Sequence, residues 1–289
     1  MPLVTISDLN GPQDEVLECV SLATELSALY DHIANTDTDG KDRAPGIHAS
    51  ELYPCLRRAV YSLMGTERRP QLSRFWRQRF KVGHAIHGMV QADCHEIDRR
   101  SALNGAFAAA DRVAKANDYV IIFEDEVKVS PEKQALAKFY NIHSACDGIF
   151  TFHHKGNGEV KLRVGLEIKT EAPDGYEKLK EPKPEHVRQT HLYMACLDLP
   201  LMWFFYMNKG NQNNTNSNHP FLIPFNSVVW NEIEARCTQA LQLAHDKQLP
   251  ERVEGIQCEF CPWSYTCQPN KMQAFQKKNT KKETLRLNK

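Results

Sequence analysis

The chain has 289 residues, with 36 basic and 36 acidic side chains that give a formal net charge of zero; 42% of residues are hydrophobic and 25% charged. That length can bury the core of one large domain or two small ones, and the composition is ordinary for a soluble globular protein. No stretch approaches the ~20 apolar residues of a membrane span, and the acidic N-terminus lacks a signal-peptide pattern, so the expected setting is cytoplasmic, without membrane partners.

The zero balance conceals segregation. Residues 1–52 hold ten acidic side chains against Lys41 and Arg43. Residues 53–88 reverse this, with Arg57, Arg58, Arg68, Arg69, Arg74, Arg77, Arg79 and Lys81 against Glu67 alone. A third, basic stretch follows Cys267. Such blocks point to local anionic contacts. The arginine segment reads as a nucleic-acid contact or a solvated helix face, and the tail at 271–289 as a flexible solubilising extension.

In chain order, residues 12–34 show helical spacing of Val16, Leu17, Val20, Ala23, Leu26, Leu29 and Tyr30 within an acidic segment, 1–48. Ser50 reads as the N-cap of a helix through Leu63, with Pro54 in its first turn, and Ser73 as the cap of a long helix to about Arg99. An alanine-rich helix over 106–117 closes this helical part, 49–118. The period then changes to that of strands: 119–129, then 143–150 and 164–170 flanking a turn with Gly156-Asn-Gly158. A helix over 185–198 follows Pro182 and Pro184. The continuous apolar run 201–207 fits a buried central strand. Residues 211–218, with five asparagines, read as a mobile loop before a short strand at 220–225 and a helix at 227–247. The order predicts an α/β core over 119–250 and a Cys-rich end over 251–270.

Chemistry-bearing residues concentrate in the central strands. Alternation puts Glu167 and Lys169 on one side of a strand, and a neighbouring strand can set Asp147 beside them. Two carboxylates and an ammonium suit a divalent cation and an activated water; a surface ion pair is the alternative. In the long helix, His84 and His87 share a face and could meet a metal, while Gly83 and Gly88 suggest close approach by another backbone. Gln189 and Tyr193 lie four apart on one helix face, as a solvated pair or as groups that touch a phosphate or orient Lys169. Cys258, Cys261 and Cys267 can wrap one centre that needs a fourth ligand, for which Cys55 is the best placed. The spacing admits an iron–sulfur cluster, zinc, or reduced cysteines in an aromatic cap. Cys19, Cys94, Cys146, Cys196 and Cys237 sit in apolar patterns and read as core.

Together these residues resemble the RecB-like branch of the PD-(D/E)XK nucleases, and within it the CRISPR-associated Cas-four iron–sulfur exonucleases. The matching pieces are Gly83-x₃-His87, Asp147-Gly-Ile, Glu167-Ile-Lys169, Gln189-x₃-Tyr193 and the split set of Cys55 with Cys258, Cys261 and Cys267. The resemblance implies a restriction-endonuclease-like core, a mixed sheet flanked by helices, with a helical N-terminal part and a C-terminal iron–sulfur cap. It implies a 4Fe–4S cluster on the four cysteines, and Mg²⁺ or Mn²⁺ on His87, Asp147, Glu167 and the carbonyl of Ile168. It implies exonuclease action on DNA, single-stranded by preference, in a bacterial, archaeal or phage-infected cell. The setting would be repair, recombination, phage DNA processing or CRISPR adaptation, with an integrase, helicase or recombination factor as partner. The rival from another class is a non-catalytic DNA-binding scaffold of the same fold. His84, the acidic N-terminus and the 211–218 stretch depart from the family pattern.

Overall fold

From Tyr119 onward, apolar side chains alternate with polar ones and build a ribbon of three long antiparallel strands: β1 (Tyr119–Val129), β2 (Ser144–His154) and β3 (Val160–Glu171). The computed structural model describes residues 25, 43–53, 55–69, 74–103, 105–107, 111–215 and 221–268. Of the expected helix at 12–34 only Glu25 is described, and it is helical; the capping role of Ser73, the basic tail and Cys19 lie outside the described residues.

Before the ribbon come α1 (Ala49–Leu52), α2 (Leu56–Leu63) and α3 (Arg74–Ser101). After it come α4 (Ala135–Tyr140, between β1 and β2), α5 (Pro173–Glu177), α6 (Pro184–Leu197), β4 (Leu201–Asn208), β5 (Asn211–Thr215), β6 (Phe221–Pro224), α7 (Ser227–His245) and α8 (Ser264–Cys267). β4 pairs parallel with β3 through the α6 crossover, so its apolar run sits inside the sheet. β5 and β6 both pair antiparallel with β4 on its far side, completing a six-stranded mixed sheet.

Two cores cover the two faces. On one, Met202, Phe204 and Tyr206 of β4 pack with Leu192 and Met194 of α6, Ile233 and Cys237 of α7, and Leu56 and Val60 of α2. On the other, Ile86, Val90 and Cys94 of α3 pack on Ile121, Phe123, Phe150, Leu166 and Ile168. Each fully buried aliphatic or aromatic side chain contributes ~1.5–3 kcal/mol of transfer free energy. Among the described residues, no helix is long and apolar enough to cross a membrane.

Four expectations are corrected. The helix from Ser50 to Leu63 is two helices: Tyr53, the residue before Pro54, is extended at φ −118°, ψ 129°, because a following proline disfavours the α region. Ser50 therefore lies inside α1 rather than capping it, and His48 holds the N-cap position. The alanine-rich stretch ends in a 3₁₀ turn, Asp111–Asp118, instead of an α-helix. The asparagine run begins as strand β5, joined to β4 by the two-residue turn Lys209 and Gly210, with Asn208 facing Asn211. Pairing with a core strand here overrides polar composition. Among the described residues no other backbone approaches Gly83 or Gly88: a Cβ at Gly83 would meet only Thr170 Oγ1 at 3.6 Å, and one at Gly88 nothing within 4 Å.

Candidate functional site

The β2–β3 ladder has Gly148 opposite Leu166 as its last rung, and Asp147 stands just past it. The N–H of Ile168, left unpaired by the ladder, donates to Asp147 Oδ2 at 2.7 Å. Extended backbone points a residue's N–H and C=O to the same edge, so the Ile168 carbonyl faces the same gap. α3 supplies two more side chains to Asp147: His87 Nδ1 lies 3.3 Å from Oδ1, and Gln91 Nε2 donates to the backbone carbonyl at 2.8 Å.

On β3, Glu167 and Lys169 project to one side and meet, with Nζ 2.5 Å from Oε1. α6 brings Gln189 over the pair. Its amide nitrogen donates to Glu167 Oε1 at 2.9 Å and to the Tyr193 hydroxyl at 2.8 Å, and its oxygen accepts from Lys169 at 3.2 Å. Glu167 is 2% exposed, and its Oε2 is buried without a hydrogen-bond partner. Burial pushes the Glu167 carboxyl up to about 7, against the opposing pull of the Lys169 ammonium. Burial also raises the Tyr193 phenol well above its ordinary value, so it stays neutral while its oxygen accepts from Gln189. Asp147, His87, Glu167, Ile168, Lys169, Gln189 and Tyr193 thus converge, while His84 points outward and is exposed. Gln91 was missed by the sequence reading; its signal is the four-residue spacing from His87. Among the described residues, no three His, Cys, Asp or Glu side chains close on a single point as a bound metal ion would hold them.

The cysteines form a second locus. Cys55 occupies the N-cap position of α2 in extended conformation, and Cys258, Cys261 and Cys267 come from the 3₁₀ turn Ile256–Phe260, the residue after it, and α8. All four line one pocket together with Arg57, Arg58 and Tyr61. Arg57 Nη1 donates to Cys267 Sγ at 3.3 Å, and Nε of both arginines is buried without a partner. The thiols surround a cavity rather than a point, and its cationic wall suits an anionic occupant. Cys94, Cys146, Cys196 and Cys237 are buried in the cores, and burial pushes Cys94, Cys196 and Cys237 up to about 12, leaving them inert thiols.

Part of the arginine segment turns inward, contrary to a solvated or nucleic-acid-facing reading. Glu51 on α1 is fully buried, and its Oε1 collects Arg68 at 2.9 Å, Arg43 at 3.5 Å and Arg58 at 3.9 Å. Arg68 also lies over the Trp263 ring at 4.5 Å. Trp263 is 1% exposed, and its indole donates to the Thr66 carbonyl at 3.0 Å while the Arg69 N–H donates to Pro262 O at 2.9 Å. The C-terminal cysteine segment is thereby fastened to the segment after α2.

No protein-family model matches the chain, and no curated protein matches it. Among solved structures, the crystal structure of SSO0001 aligns with 84% of this chain and 96% of its own, at 15% identity and a TM-score of 0.44. The structure of LHK-Exo in complex with dAMP aligns with 71% of this chain and 90% of its own, at 17% identity and a TM-score of 0.40. That of the alkaline exonuclease LHK-Exo from Laribacter hongkongensis covers the same shares at 14% identity and a TM-score of 0.37. The functional reading rests on the chain's own geometry.

Proposed function

We propose that the chain is a divalent-metal-dependent deoxyribonuclease of the PD-(D/E)XK type that acts from an end of single-stranded DNA. The observation that carries this reading is Glu167 Oε2, a buried carboxylate oxygen without a partner beside Asp147. Leaving such an acceptor unsatisfied costs ~1–3 kcal/mol or more, which a cation would offset. His87, Asp147, Glu167 and the Ile168 carbonyl would hold Mg²⁺ or Mn²⁺. When bound, the ion would supply Lewis acidity, lowering the pKa of water and neutralising charge on the phosphate.

The protein's own groups do the positioning. Lys169 Nζ, fixed between Glu167 Oε1 and Gln189 Oε1, orients the attacking water and screens charge building on the scissile phosphate. Tyr193 holds Gln189 in the rotamer that reaches both members of the pair. His87 and the Ile168 N–H hold the Asp147 carboxylate in place. Cys55, Cys258, Cys261 and Cys267 would hold a 4Fe–4S cluster, a reading favoured by their lining one arginine-walled pocket.

End-labelled single strands, blocked at either end, are incubated with Mg²⁺ or Mn²⁺ and wild type, Asp147→Ala or Lys169→Ala. A ladder from one end that both substitutions abolish is the expected result; undiminished cleavage by both variants sinks the assignment. Anaerobically purified protein should be brown and carry iron. A colourless protein with one zinc would leave the four-cysteine site standing and remove the cluster.

A further inference from the structure

The first turn of a helix presents unpaired backbone N–H groups and the positive end of the helix dipole, so acidic side chains are favoured there and cations opposed. α2 breaks this pattern. Its first turn holds no acid and carries Arg57 and Arg58 in succession, and its N-cap residue, Cys55, makes no side-chain capping bond. A helix end and two guanidinium groups thus pool positive charge in one place. An anion seated there would offset their mutual repulsion.

Both arginines line the pocket shared by Cys55, Cys258, Cys261 and Cys267. Arg57 Nη1 donates to Cys267 Sγ at 3.3 Å, and among the described residues no carboxylate pairs with it. Its Nε is buried and donates to nothing, as is Nε of Arg58. Inside a protein a guanidinium is ordinarily held by a carboxylate, as Glu51 holds Arg68 at 2.9 Å. Arg57 has a sulfur instead. Arg252 also lines the pocket, but it is exposed and pairs with Glu254. The potential of an iron–sulfur group responds to its net charge, to hydrogen bonds on its sulfurs and to its exposure. A Cys₄-ligated 4Fe–4S group is anionic and gains a further negative charge on one-electron reduction, so a cation bonded to a ligand sulfur favours the reduced form. With Nε buried, that effect is little screened by solvent.

We propose that Arg57 raises the reduction potential of a 4Fe–4S cluster held by the four cysteines, so that this site is a one-electron acceptor as well as a clasp for the C-terminal segment. The inference rests on the cluster reading above and adds a residue and a property to it. Arg57 acts through Cys267 and has no part in holding DNA or the divalent cation.

The test compares the whole chain, purified anaerobically, as wild type, Arg57→Gln, Arg57→Lys and Arg252→Gln. Iron content and visible absorbance report loading, and thermal melting reports the fold. Dithionite titration with redox mediators, followed by electron paramagnetic resonance, reports the potential. Arg57→Gln is expected to keep its iron while the reduced-to-oxidised ratio at a fixed poise falls about tenfold, ~59 mV for one electron. Arg57→Lys keeps the charge but not the planar fork that reaches Cys267, and its ratio should fall part of the way. Arg252→Gln should match wild type. If Arg57→Gln loses its iron, Arg57→Lys carries the comparison. A wild-type potential in every loaded Arg57 variant overturns the proposal, as does an equal fall in Arg252→Gln or a wild-type cluster that dithionite does not reduce. Iron lost from both Arg57 variants at an unchanged melting temperature also overturns it, because Arg57 would then hold the group and not tune it. Wild type that carries zinc or no metal in place of iron overturns the cluster reading, and the tuning with it.

Discussion

Asp147 Oδ2 accepts the backbone N–H of Ile168 at 2.7 Å, so one carboxylate of the site is tied to the strand that carries the other. Bringing two negative groups together is costly, and on the proposed reading a bound cation would offset that cost. Adding Mn²⁺ should therefore raise the melting temperature, with stabilisation of ~2.7 kcal/mol at a concentration 100-fold above Kd. Glu167→Gln and Asp147→Asn should abolish the Mn²⁺-dependent rise. Scanning calorimetry with and without Mn²⁺ checks this, and an equal rise in both variants would remove the metal from this site.

Gln189 touches Glu167, Lys169 and Tyr193 at once and is the only described side chain whose recorded hydrogen bonds reach all three. Gln189→Ala should lower kcat by about 10²-fold through a misplaced Lys169, with KM little changed. Tyr193→Phe, which removes only the support, should cost less. Steady-state kinetics on a labelled single strand separates the two; a pure KM effect in Gln189→Ala would instead place the amide on the substrate.

Glu51 concentrates the charge of three arginines inside the protein. Glu51→Ala leaves Arg58, whose side chain is 12% exposed, without its counter-charge, and should destabilise the fold by about 3–5 kcal/mol. Arg58 and Arg68 join this cluster to the cysteine pocket and to Trp263, so if that pocket holds the proposed iron–sulfur cluster, iron retention should fall with stability. Urea denaturation and iron content of the purified variant provide the measurement.

His186 packs against Tyr206, with Nδ1 2.7 Å from the hydroxyl, and burial drives its pKa down to about 2. A folded-state value below the unfolded one near 6.5 means that stability is full above that pH and drains away as pH falls from 6.5 towards 2. The ring keeps some contact with solvent, which limits the loss between pH 6.5 and 5 to about 1–2 kcal/mol. His186→Asn should flatten this part of the stability profile. Urea midpoints at pH 7.5 and 5 would show it, and an unchanged acid loss would mean that His48 and His191, also held below their ordinary pKa by burial, carry the effect instead.

Much of the site was legible because strand alternation is strict: once 164–170 is a strand, Glu167 and Lys169 must share a side. Helical spacing served equally for Gln189 and Tyr193. What charge counts lacked was direction. Arg57, Arg58 and Arg68 read as an outward basic patch, yet they point at Cys267 and Glu51, because a carboxylate seven residues before Arg58 is the one buried deepest. Likewise β5 is all polar, and only the unpaired edge of β4 makes it a strand. Gln91 escaped notice because its four-residue spacing from His87 gains meaning only once its bond to the Asp147 carbonyl is seen.

The hold of Trp263 on Thr66 joins positions 197 residues apart and leaves the intervening chain, in effect, a ring closed without a covalent bond. A ring has no privileged ends. A single proteolytic nick in the exposed turn at 156–159 would open it at a new place while both pieces stay clasped. Oxidation of the four thiols would likewise leave the aromatic clasp fastened.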